Sequence, residues 1–162
     1  MSLKIDSLKN RKDLIDRSAA CIALIWLGMV LGISFLEAPV KFMAPSVTLE
    51  IGLDIGRYVF RAFNKVECVF ALVIAILLII IRRIDLSMVP LGLAWLTLAL
   101  QTAWLLPFLE ARTEVIIQGQ TPAPSVSHTI YVVLEVIKAV SLAVYGFWIV
   151  LKSKPGSEIA IR

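Results

Sequence analysis

At 162 residues the chain is long enough for one domain and not for two. Hydrophobic residues make up 59% of it and charged residues only 17%, and a soluble domain this small has no interior for so much apolar surface. The formal charge of +4 comes from residues flanking apolar runs, not from a basic patch interleaved with aromatics, so nucleic acid is set aside as a partner and the lipid bilayer takes its place.

Residues 1–17 are polar, with Lys4, Lys9, Arg11, Lys12 and Arg17. They read as a cytoplasmic tail, or as a helix lying on the inner surface along a weak stripe of Leu8, Leu14 and Ile15. The first apolar run, 18–36, approaches the roughly 20 residues that cross a bilayer. Glu37, Pro39 and Lys41 follow it in place of a cleavage site, so an uncleaved span is expected rather than a signal peptide.

Between 46 and 61, Val47, Leu49, Ile51, Leu53 and Ile55 alternate as in a strand. A lone strand at a membrane surface would leave its edges unpaired, so the expectation is a helical lead-in, capped at Ser46 and bent near Gly52 or Gly56. The second span, 62–81, ends at Arg82 and Arg83. The third, 88–109, has Asp85 or Ser87 to cap it and Pro90 in its first turn. Residues 110–127, with Gly119, Pro122 and Pro124, read as an outer loop. The fourth span, 129–151, is stopped by Lys152, Lys154 and Pro155, leaving 152–162 as a second cytoplasmic tail. Cys21 and Cys68 each lie inside an apolar run without a C-x-x-C pair, and read as small buried residues rather than a disulfide framework.

These runs predict an all-α integral membrane four-helix bundle over 18–151. Ten Lys and Arg fall on the side of the termini and the Arg82–Arg83 turn, against Lys41, Arg57, Arg61 and Arg112 on the other. That bias predicts both termini inside, and the expected location is a bacterial inner (cytoplasmic) membrane.

Ionisable side chains in hydrocarbon are costly, about 2.5–3.5 kcal/mol each on insertion scales, and need partners, water or a task. On the second span Arg57, Arg61, Asn64 and Cys68 share a stripe about 60° wide, flanked by Lys65 and Glu67. On the fourth, His128 and Glu135 are two turns apart on one face, with Tyr131 and Lys138 beside them. The first span ends in Ser34, Glu37 and Lys41. The third offers Gln101, Thr102 and Trp104, then Glu110 and Arg112. All belong to the outer half of the spans, which predicts a polar cup open outward and sealed below by the aliphatic stretch 69–81. Its candidate ligand-binding residues are Glu37, Arg57, Arg61, Asn64, Glu67, Gln101, His128, Tyr131, Glu135 and Lys138.

The competing reading is that these charges only pair with one another and lock helix register. Glu37, Glu67, His128 and Glu135 could in principle form a carboxylate-rich metal site, but the separation of His128 and Glu135 by about 10 Å gives no ligand motif, so no metal is assigned. No cofactor motif is present either. Trp26, Trp95, Trp104 and Trp148 read as packing residues or interfacial anchors.

The stretch from Gly28 to Glu67, G-M-V-L-G-I-S-F-L-E-A-P-V-K-F, a loop, then I-G-R-Y-V-F-R-A-F-N-K-V-E, resembles small four-span proteins of the transmembrane protein 205 kind and a related bacterial domain of unknown function. The resemblance covers most of the chain as layout and implies a four-helix bundle. Anthrone-oxygenase-like proteins share that layout, which would allow an enzyme. Arg61, Ala62, Asn64 and Glu67 also resemble the Arg-Ala-x-x-Asn-x-x-Glu signature of the MAPEG glutathione transferases. Their match would place glutathione at Arg61, Asn64 and Glu67, but the spacing here is one residue short and turns Arg61 by about 100°.

Three functions therefore stand side by side. The first is binding or transport of a small amphiphile or anion, meeting Arg57, Arg61 and Lys138. The second is a membrane-embedded enzyme with Glu135 or Glu67 as acid or base, helped by Tyr131 or His128. The third is a structural or assembly subunit, in which Gly28, Gly32 and Ser34 pack within one bundle or between protomers of a homo-oligomer.

Overall fold

In a computed structural model the described residues are 2–152, with side chains from Ser7 onward. The remainder of the expected C-terminal tail, with Lys154, Pro155 and Arg162, lies outside them, as does the side chain of Lys4. Four helices are long and apolar enough to cross a membrane: Ser7–Met43, Leu49–Ile81, Leu86–Ile117 and Ser127–Lys152. Among the described residues there is no strand. The chain is an integral membrane protein with an all-α four-helix bundle.

The first helix starts within the polar N-terminal segment and runs unbroken through Ser2–Val30. It then widens into a π turn, Leu31–Glu37, just ahead of Pro39. The third helix does the same: Val89–Leu100 passes into a π turn, Gln101–Leu105, just ahead of Pro107. A proline has no N–H for the carbonyl four residues back and its ring crowds that oxygen. The oxygens concerned, of Phe35 and Ala103, both lie inside the π turns, so each helix accommodates its proline by widening.

The second helix begins at Thr48, whose hydroxyl accepts from the Ile51 N–H at 3.3 Å, and not at Ser46 as expected. It runs unbroken through Gly52 and Gly56. Both are buried because they receive the end of the first span: a Cβ on Gly52 would stand 2.2 Å from the Phe42 ring, and one on Gly56 would meet Lys41 Nζ at 3.0 Å. The helix closes at Arg82 in the left-handed region (φ 50°), with the Arg83 and Arg82 N–H groups donating to Leu78 and Ile79 oxygens. Asp85 then accepts from the Ser87 N–H at 2.8 Å and starts the third span. That span does not stop near 109. It continues to Ile117 and ends at Gly119 (φ 74°), which shortens the expected outer loop.

The core lies along the seam of the first and fourth helices. Ala19, Ala20 and Ala23 allow close approach, and a Cβ on Gly146 would lie 2.6 Å from Leu24. Trp26, Val30, Ile74, Leu91, Leu142 and Tyr145 fill the space between. Gly28 and Gly32, expected at a packing surface, face open space within the chain. Cys21 and Cys68 are free and exposed rather than buried, on the outward side with Ile25, Val69 and Leu72. An ion pair between Asp16 and Arg83 sets the N-terminal helix beside the turn joining the second and third spans, so both belong to one end of the bundle.

Candidate functional site

Four hydrophilic groups of the spans are almost wholly buried. Glu67 is 1% exposed, Glu135 1%, Lys138 0% and Gln101 0%. Lys138 follows Glu135 by three residues, so both project from one face of the fourth helix. Gln101 opens the π turn of the third helix, and Glu67 lies on the inward face of the second with Phe63 and Ile74.

These four form one network. Lys138 Nζ donates to Gln101 Oε1 at 2.8 Å, to Glu135 Oε1 at 3.0 Å, and to Glu67 Oε1 in the tightest contact of the three. Its three N–H groups thus have three acceptors. Gln101 Nε2 donates back to Glu135 Oε1 at 3.1 Å. Trp26 reaches in from the first helix, its indole N–H donating to Glu67 Oε1 at 3.0 Å. All four spans contribute, and the network holds two carboxylates against one ammonium.

Beside the network, toward the end of the bundle that carries Lys41 and His128, opens a cavity of about 640 Å³. Its walls are mostly apolar: Phe35, Phe42, Phe60, Leu106, Leu109 and Ile116 among them. Phe60 packs edge-on against the Tyr131 ring, with centroids 5.7 Å apart. Two buried polar atoms of its lining residues have no hydrogen-bond partner among the described residues: Glu135 Oε2 and Ser34 Oγ. Each belongs to a residue seven positions from the mouth residue of its helix, His128 and Lys41, hence about 10 Å deeper.

Two of the mouth's cations are matched by carboxylates, and a third, Arg112, is held by a carbonyl. Lys41 pairs with Glu37 at 3.4 Å and sits over the Phe42 and Phe60 rings. Arg57 binds Asp54 at 2.6 Å and also Glu114. Arg112 donates to the Ala123 carbonyl at 2.7 Å.

The structure therefore divides the ten residues proposed from the sequence. Glu67, Gln101, Glu135 and Lys138 come together in the network, with Tyr131 next to Glu135 on the cavity wall. Arg57 and His128 line the mouth, and Glu37 stands behind Lys41. Arg61 and Asn64 do not face this interior: Arg61 forms a forked pair with Glu110 (3.0 and 2.7 Å) and Asn64 donates to Thr102 at 2.8 Å, both binding the second helix to the third. Among the described residues no three of His, Cys, Asp and Glu gather as a metal site.

Trp26, Ser34 and Phe60 were not proposed. The signal for Trp26 is its register with Ala19, Ala23 and Val30, which marks the inward face, where an indole N–H needs an acceptor. No family model matches the chain, and no curated protein or solved structure matches it either.

Proposed function

We propose that the protein binds a small amphiphile in the cavity at the outer end of its bundle, or passes one across the membrane. One observation carries the reading: a 640 Å³ space with apolar walls whose lining includes Ser34 and Glu135, on different helices, each with a buried polar atom that has no partner among the described residues. A volume of several hundred Å³, mostly apolar with a few polar groups to set orientation, is what small-molecule sites have. The π turns support it, since such turns are frequent at functional sites and these two present Ser34 and Gln101. A free anion fits less well. Of the cations expected to meet it, Arg57 and Arg61 hold carboxylates at the outer end and Lys138 has its three N–H groups occupied.

In this reading the termini lie in the cytoplasm, on the ten-to-four bias of Lys and Arg, and the membrane is a bacterial inner one. The cavity then opens outward. The test is photolabelling of the protein in lipid nanodiscs with a neutral alkyl diazirine, followed by peptide mapping. Saturable labelling at Phe60, Leu109 and Tyr131, suppressed by excess dodecanol, is the expected result. Labels confined to lipid-facing positions such as Ile79 and Phe147, and insensitive to competitor, would sink the proposal.

A further inference from the structure

We infer that the inner end of the cavity receives a protonated amine, so that the ligand is a cationic amphiphile with its ammonium group on Glu135 Oε2. The inference rests on the amphiphile reading above and names the ligand class.

Charge and hydrogen bonding argue for it together. Glu135 Oε1 is occupied by Lys138 and Gln101, and Glu67 Oε1 by Lys138 and Trp26. The lone ammonium of the network offsets one of the two carboxylates. The remaining negative charge is deep among apolar side chains, where an unbalanced charge is costly. Of the Glu135 oxygens, the one without a close hydrogen-bond partner among the described residues belongs to a side chain that lines the cavity beside the Tyr131 hydroxyl. Ser34 Oγ, the other unpartnered atom of the lining, adds a neutral acceptor from the facing helix. Two acceptors, one charged, match an ammonium's several donors better than a hydroxyl's single one. A carboxylate head would meet like charge there.

Most cations at the mouth are already matched, Arg112 being held by a neutral carbonyl instead. Lys41 is offset by Glu37, Arg57 by Asp54 and Glu114, and the Arg61 fork lies on Glu110. Phe60 and Tyr131 line the path between mouth and carboxylate with aromatic rings, which suit a passing cation.

Three competitors of equal chain length decide the matter: dodecylamine, dodecanol and dodecanoate, each displacing the neutral diazirine label in nanodiscs of zwitterionic lipid. Dodecylamine should compete about ten-fold or more better than the other two, as a hydrogen bond to a charged partner implies. In Glu135→Gln its advantage over dodecanol should vanish while dodecanol itself competes as before. If that variant does not fold, Glu135→Asp replaces it, with the charge kept but withdrawn by one methylene, and the advantage should narrow. Equal competition by dodecylamine and dodecanol in the unaltered protein would overturn the inference in favour of a carboxyl that is neutralised by a proton. Dodecanoate as the best competitor would overturn it in favour of an anion. In both cases the amphiphile site stands; if none of the three displaces the label, that reading falls as well.

Discussion

Lys138 is held by acceptors from three helices, and its removal leaves two carboxylates facing each other in an apolar interior. Breaking one partner of a buried ionic group costs about 3–5 kcal/mol, whereas replacing the whole group by neutral side chains of similar shape is often close to neutral. Lys138→Met should therefore lower the free energy of unfolding in mixed micelles by about that much. Lys138→Met with Glu67→Gln and Glu135→Gln should recover most of it. A triple variant no more stable than the single one would show that the network is not held by charge balance. Glu67, Glu135 and Lys138 are legible in the sequence because a charge within an apolar run is costly against lipid, although Lys65 of the same second span is exposed. Arg57 and Arg61 mislead for a local reason. Their stripe on the second helix is real, but its partners, Glu110 and Glu114, sit on a stretch whose Glu and Arg residues look like loop and which is in fact helix.

Between helices, contact depends on what is missing at glycine. Gly146 lies against Leu24, so Gly146→Ala should cost about 1–3 kcal/mol through overpacking of the seam between first and fourth helices. Gly28 has open space where a Cβ would go, so Gly28→Ala should gain up to about 1 kcal/mol from helix propensity. Thermal midpoints of the two variants should move in opposite directions. At the turn between second and third helices, the Ser87 hydroxyl and backbone N–H, with Arg83, hold the Asp85 carboxyl below its ordinary value of 3.8. A depressed folded-state value means that Asp85 adds stability at neutral pH and loses it as pH falls through that lowered value. The side chain is half exposed, so the effect is small. Acidification from pH 6 to pH 3 should lower the midpoint of the unaltered protein slightly more than that of Asp85→Asn, which keeps the cap without the charge. Equal shifts would remove Asp85 from the pH response.

For the molecule as a whole, the bundle was legible because four stretches near membrane length allow few other arrangements. The ends of the helices were not, since a cap such as Thr48 differs from Ser46 only by which hydroxyl meets an N–H, and that depends on how Phe42 packs on Gly52. The proposed orientation rests on charge placement and has its own test. A phosphatase active only outside the cytoplasm should be silent when fused after Lys152 and active when inserted after Gln120; the reverse pattern would invert the proposed topology. The two π turns bear on how the protein tolerates change. Each holds one residue more than an α-helical ladder needs. Deleting a single residue from 31–37 or 101–105 should therefore close the wide turn into ordinary α-helix and leave the segment beyond it on its present face. Lys41 would stay against Gly56 in the first case, and Glu110 and Glu114 would keep their arginines in the second. At these two places the protein should tolerate the loss of one residue, whereas the same deletion within the regular helix 69–81 would turn everything beyond it by about 100°.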